Sequence, residues 1–273
     1  MLLKNKTVLI TGSTDGVGRH VAKELGQQGA RVLVHGRDAA RGKDVVEEIR
    51  RSGGAADFYR ADFASLDEVR GLVEAVRKDH ERLHLLINNA GIGTRSNGSQ
   101  RRTSADGHEL RFAVNYLSGF LLTHLLLPML RDSAPARIVN VASAGQAPID
   151  FDDVMLTKHY DSGQAYCQSK LAQIMFTFDL AEQLKGTQVT ANCLHPATYM
   201  ATTMVREAGV TPASTVEEGG AAILKLAASP ELERRTGLYF DRMRESRAHP
   251  QAYDKDARFR LRKLSVALTG LSE

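Results

Sequence analysis

The chain has 273 residues, a formal net charge of +4, 25% charged residues and 42% hydrophobic ones. This balance excludes a disordered, fibrous or collagen-like chain. The length permits one large α/β domain or two small ones, and with no break in composition the expectation is a single domain over 1–273.

Basic residues are spread along the chain except for Arg95, Arg101 and Arg102, which share one polar loop without interleaved aromatic residues, so no nucleic-acid partner is expected. The most apolar stretch, Phe112 to Leu130, is interrupted by Asn115, Tyr116, His124 and Pro128 and is not read as an integral membrane span. MLLKNKTVLI at the start carries Lys4 and Lys6 and no small-residue cleavage site, so it is not read as a signal peptide, and a cytoplasmic protein is expected. Cys167 and Cys193 are too few and too far apart for a zinc site or a disulfide framework, and no metal is expected.

In chain order, TVLIT (7–11), RVLVH (31–35), ADFYR (56–60), LHLLIN (83–88), RIVNVAS (137–143), QVTANCL (188–194) and GLYF (237–240) read as strands. Helices are expected between them at about 17–29, 39–52, 67–80, 106–131, 163–184 and 217–228, and ARFRLRKLSVALTG, in a tail of about 250–273, reads as a further amphipathic helix. Several strands are apolar on both faces, as in a parallel sheet covered by helices on each side. Right-handed crossovers then give a doubly wound Rossmann-type α/β fold of about seven parallel strands. Such sheets bind ligands at the carboxyl ends of their strands.

After the first strand, TGSTDGVG contributes Gly12, Ser13, Thr14, Asp15, Gly16, Val17 and Gly18 at the head of a helix. Glycine permits a sharp turn and a close backbone approach, and a helix N-terminus offers N–H groups and a positive dipole end, which together suit a pyrophosphate. A tight turn without ligand has the same appearance. After the second strand, Gly36 and Arg37 stand where a NAD-binding unit usually places an acid. A guanidinium there suits a 2'-phosphate, so NADP(H) is preferred over NAD(H). Asp62 and Phe63 follow the third strand where an adenine could meet a carboxylate and a backbone N–H, although Asp62 could as easily end the strand, and Ser65 looks like a helix cap.

NNAG (88–91), together with TGSTDGVG and YCQSK, resembles the short-chain dehydrogenase/reductase family from residue 6 to about 240. FAVNYLSGFLLTHLLLPML, RIVNVAS, AYCQSKLA, VTANCLHP and LRKLSVALTG resemble its retinol-dehydrogenase-like branch, which includes relatives of protochlorophyllide reductase. The resemblance implies an apolar carbonyl or alcohol substrate and a catalytic tetrad of Asn115, Ser143, Tyr166 and Lys170. It also implies cofactor contacts from Asn89, Ala90, Gly91, Pro196 and Thr198, with Asn88 and Asn89 bonding neighbouring strands. A homodimer or homotetramer pairing the helices at 106–131 and 163–184 is implied as well, although packing on the sheet explains their apolar residues equally.

Tyrosine and lysine both titrate near pH 10 when free, so each needs an altered environment to carry a proton at neutrality. Positions i and i+4 share a helix face about 6 Å apart along the axis, so a Lys170 ammonium should favour the Tyr166 phenolate, and an oxidised nicotinamide should add to that field. Ser143 could bond the substrate oxygen as charge develops, or make a local turn bond. Asn115 needs a partner inside an apolar helix. The resemblance gives it a water linking Lys170 to solvent, and a structural bond is the alternative.

LHPATYMATTM departs from the family pattern, with Ala197 where glycine is usual, so the turn must avoid positive φ there. Thr198 or Thr202 is the candidate for the nicotinamide amide. His195 is expected in a structural role, and Cys167 is expected to point away from the Tyr166 face. Residues 198–216 read as a lid in which Tyr199, Met200, Met204 and Val205 line an apolar pocket, or as a small packed helix. Phe151 and Met155, in the segment between Ser143 and Tyr166, are candidate substrate contacts. The resulting expectation is an NADP(H)-dependent oxidoreductase acting on an apolar carbonyl or alcohol. Its alternatives are a NAD-dependent dehydrogenase of a hydroxylated lipid or aromatic metabolite, and a cofactor-binding scaffold without turnover.

Overall fold

The computed structural model describes residues 3–95 and 100–272. The first half alternates strictly: β1 (Thr7–Ile10), α1 (Gly16–Gln27), β2 (Arg31–Gly36), α2 (Ala39–Arg51), β3 (Ala55–Arg60), α3 (Leu66–Asp79) and β4 (Leu85–Asn88). The three helices begin on Asp15, Asp38 and Ser65, whose side chains accept from backbone N–H groups of the first turn that have no partner within the helix. A rod over Leu110–Asp132 follows. It consists of α4 (Leu110–Phe112), a π-helical turn (Ala113–Leu117) and α5 (Ser118–Asp132). Beyond it come β5 (Ala136–Val141), α6 (Ser162–Gln183), β6 (Val189–His195), α7 (Thr203–Glu207), α8 (Val216–Ala228), β7 (Tyr239–Asp241), β8 (Arg244–Ser246) and α9 (Lys255–Thr269).

One sheet runs in the order β3-β2-β1-β4-β5-β6-β7-β8. Seven of its strands are parallel, as expected, and β8 returns antiparallel on β7. The eighth strand adds an antiparallel edge to the seven expected. Its three side chains are all exposed, so it leaves no apolar pattern to read.

The period of two along each strand divides the interior into two cores. Val8 and Ile10 pack on α1, α2 and α8 with Val21, Ile49 and Ile223. Leu9 points to the opposite face with Phe112, Phe120 and Phe176. Each fully buried aliphatic side chain contributes about 1.5–3 kcal/mol. Strand order reverses between β1 and β4, which opens a crevice at their carboxyl ends, where the glycine-rich turn and NNAG lie.

The rod Leu110–Asp132 is long and apolar enough to cross a membrane by length and composition, with a mean hydropathy of 1.4 over an 18-residue window, but 83% of that window is buried within the fold. The amphipathic tail forms α9, which lies on α6 through Arg258–Glu182 at 2.9 Å and Arg262–Asp179 at 3.2 Å. It also reaches the rod, where Tyr116 and Ser265 share a buried hydrogen bond of 2.7 Å. In this chain α9 therefore covers part of the two helices assigned to a subunit interface.

Candidate active site

Gly12 and Gly16 adopt positive φ, +62° and +53°, which a side chain would strain. A Cβ on Gly12 would also lie 2.8 Å from the Ala90 Cα. That close approach brings NNAG against the loop. Thr11 Oγ1 accepts from the N–H groups of Asn89 and Ala90, both at 3.0 Å, and Asn89 Nδ2 donates to the Thr11 and Gly12 carbonyls. The glycine loop, Asn89 and Ala90 thus meet at the N-terminus of α1, a cradle that fits an anionic diphosphate. Within the loop, Ser13 is fully buried and donates to the Ile10 carbonyl, Thr14 packs against Gly36, and Val17 points into the core. Asp15 caps α1 through the Gly16 N–H at 2.7 Å and faces Arg41 at 3.4 Å.

His35, which sequence reasoning passed over as a strand residue, fixes this loop from below. Its Nδ1 accepts from the Gly12 N–H at 3.1 Å, and its backbone exchanges bonds with Ser13. Its ring stacks on Phe63 at 4.3 Å. Burial pulls its pKa down to about 4, which keeps Nδ1 an acceptor at neutral pH. Arg37 projects from the end of β2 and pairs with Asp62 at 3.7 Å, so the residues assigned to a 2'-phosphate and to an adenine are neighbours.

The structure brings the four tetrad positions to the same crevice. Asn115 sits in the π-helical turn, an irregularity often found at functional sites. Its Oδ1 accepts from the Ile92 N–H at 2.7 Å, while its Nδ2 donates to the Ile92 carbonyl and to Ser169 Oγ. The costly buried amide is therefore satisfied by backbone just beyond NNAG. Gly91 lies between Asn115 and Lys170, since a Cβ there would come within 3.3 Å of Asn115 Oδ1 and 3.5 Å of Lys170 Nζ. Ser143 follows β5 and accepts from the Gly145 N–H at 3.0 Å, and its Oγ lies with the Tyr166 ring beside Gly145.

Lys170 Nζ lies 5.9 Å from the centre of the Tyr166 ring and donates to the Val141 carbonyl and Gln173 Oε1, each at 2.9 Å. Burial lowers its pKa to about 7. Burial also raises the Tyr166 phenol above its ordinary value, with the neighbouring Ser143 hydroxyl drawing it part of the way back. For the cofactor-free protein this reverses the expected shift toward phenolate. Desolvation outweighs a lysine whose own charge is weakened by the same burial. Gln173 had no distinguishing sequence signal beyond its place one turn after Lys170.

After β6, the buried Pro196 and Ala197 avoid positive φ and the left-handed residue is Tyr199, at +46°. The Thr198 hydroxyl contacts His195 Nε2 at 3.0 Å and Arg242 at 3.3 Å, whereas Thr202 packs beside Gly16. Met200 packs on Gly219 of α8 instead of lining a pocket, and α7 buries no side chain. Cys167 does not turn away as expected: its Sγ would lie 3.3 Å from a Cβ on Gly145, near Ser143 and Tyr166. Phe151 is covered by the Arg260 guanidinium at 4.6 Å, and Met155 Sδ accepts from the Glu109 N–H. Also missed was the buried Arg111, which donates to the Gly93 and Thr94 carbonyls and to Tyr160, tying the segment after NNAG to the one before α6.

Sheet order, loop and tetrad define a dinucleotide-binding α/β protein. The model of the family described as short chain dehydrogenase matches residues 6–212, so the chain belongs to that family of oxidoreductases. Retinol dehydrogenase 14 of Homo sapiens is 38% identical over 300 residues, covering 99% of this chain and 88% of that protein. An uncharacterized protein from Mycobacterium paratuberculosis has a TM-score of 0.82 at 28% identity, covering 98% of this chain and 94% of that one. A short chain dehydrogenase from Escherichia coli CFT073, complexed with NADPH, has a TM-score of 0.72 at 25% identity, covering 89% of this chain and 98% of that one.

Proposed function

We propose that the chain is an NADP(H)-dependent oxidoreductase that reduces an apolar ketone or aldehyde, with Tyr166 as its general acid. The observation that carries this reading is that Ser143 Oγ and the Tyr166 ring lie together beside Gly145, with Lys170 Nζ 5.9 Å from the ring centre one turn along the same helix. The glycine loop would hold a nicotinamide cofactor, whose chemistry would be the supply of hydride to the carbonyl carbon. Ser143 donates to the carbonyl oxygen as negative charge develops, and the Tyr166 O–H bond breaks to deliver the proton that completes the alcohol. Lys170 would hold the nicotinamide ribose, and Asn115 fixes the backbone at Ile92.

Arg37 at the end of β2 supports the phosphorylated cofactor, and the similar E. coli enzyme is complexed with NADPH. Similarity to a retinol dehydrogenase supports an apolar substrate. The test is oxidation of NADPH and of NADH by the purified protein across a panel of aliphatic, aromatic and isoprenoid aldehydes and ketones. The reading expects turnover with NADPH preferred; no turnover of any carbonyl with either cofactor would overturn it.

A further inference from the structure

Lys170 is 5% exposed and lies on α6 with its Nζ between two elements. One bond goes to the Val141 carbonyl at the end of β5, and the other to Gln173 Oε1, three residues ahead on the same helix. Both acceptors are uncharged, and no ion pair engages Lys170 among the described residues. The titratable groups that face it are Tyr166, on its own helix, and His195, at the end of β6, whose protonation Lys170 opposes.

Gln173 is itself 4% exposed and anchored in the interior. Its backbone carbonyl accepts from Thr177 Oγ1 at 2.7 Å, and Thr177 Oγ1 accepts from Asn140 Nδ2 at 2.8 Å. Asn140 Oδ1 in turn accepts from Asn88 Nδ2, again at 2.8 Å. A buried polar chain therefore ties the turn of α6 that carries Gln173 to β5 and β4. An ammonium has three donors, and two fixed bonds settle the direction of the third.

We propose that Gln173 is a positioning residue for Lys170, holding Nζ with a neutral amide oxygen so that the lysine is fixed in place without being locked into an ion pair. This rests on the oxidoreductase reading above, in which Lys170 serves the cofactor and the proton-donating tyrosine. A carboxylate at 173 would supply the missing counter-charge and favour the ammonium. An apolar side chain of similar length would remove the acceptor and release Nζ. Burial alone then sets the balance between the two forms of Lys170 in the natural chain, which is where the value of about 7 arises.

The test follows the Lys170 side chain by NMR of protein labelled with 13C at the lysine ε-carbon, the resonance being assigned with Lys170→Arg. Titrations of the cofactor-free natural chain, Gln173→Glu and Gln173→Met would be compared, beside pH profiles of kcat and KM. Gln173→Glu should raise the Lys170 midpoint by about one pH unit or more and shift the kcat profile with it. Gln173→Met, which keeps the volume, should lower kcat about tenfold and broaden the Lys170 resonance. If a folded Gln173→Glu leaves the midpoint and profile unchanged, the proposal is overturned. If that variant does not fold, an unaltered Lys170 resonance and kcat in Gln173→Met overturn it. Should the natural chain reduce no carbonyl, the NMR titration still decides the role of Gln173, so the two readings fail separately.

Discussion

Arg37 and Asp62 face each other across the carboxyl ends of β2 and β3, with Arg37 Nη1 3.7 Å from Asp62 Oδ2. Their side chains are 63% and 33% exposed, and an ion pair in such water-accessible surroundings is worth about 0–1 kcal/mol. The guanidinium can therefore turn to a phosphate at small cost. Asp38, the acid that follows it, has Oδ1 engaged with the Ala40 and Arg41 N–H groups as the cap of α2.

Arg37→Ala should weaken NADPH binding about tenfold or more, the loss expected for a charge-assisted hydrogen bond of about 1.5–3 kcal/mol, and leave NADH nearly unchanged. Titration of nicotinamide fluorescence with both cofactors measures this. Equal losses for the two would mean that Arg37 does not meet the 2'-phosphate.

Gly12→Ala combines a φ of +62° with a Cβ 2.8 Å from the Ala90 backbone. Left-handed strain costs about 1–2 kcal/mol, and the collision adds to it, so the thermal midpoint should fall by several degrees and cofactor binding should be lost. A calorimetric scan with an unchanged midpoint would contradict the contact between the glycine loop and NNAG.

The neutral His35 ring makes the protein acid-sensitive. Its folded pKa of about 4 lies below the ordinary imidazole value of 6.5, so the unfolded chain takes up the proton first. The stability it contributes is full above about pH 6.5 and is lost as pH falls from there toward 4, amounting to roughly 2 kcal/mol by pH 5. Urea denaturation at pH 7 and pH 5 should show this loss in the natural chain and a smaller one in His35→Asn, in which an amide oxygen can still accept from Gly12. The same pH dependence in both proteins would remove His35 as a cause.

The seven parallel strands were legible because each is a short run between turn residues, and the order of motifs placed the glycine loop and Ser143 at strand ends and the other residues assigned to the tetrad on helices. What was not legible depends on contacts between distant segments. His35 and Gln173 read as ordinary strand and helix residues until Gly12 and Lys170 meet them in space. The π-helical turn around Asn115 left no periodic mark in a run already apolar on most sides. Phe151 and Met200, chosen as pocket residues for their apolar character, are used in packing against Arg260 and Gly219, because apolar character alone does not separate a pocket wall from a core. The direction of the Tyr166 shift was missed because helix spacing gives the distance to Lys170 but not the burial of both groups.

In the proposed carbonyl reduction, Tyr166 delivers the proton. The most direct measurement compares kcat for NADPH-dependent reduction of the best aldehyde by the natural chain and by Tyr166→Phe, with folding and NADPH affinity checked in parallel. The account predicts a loss in kcat of about 100-fold to 10,000-fold with NADPH binding retained. Undiminished turnover by Tyr166→Phe would contradict it.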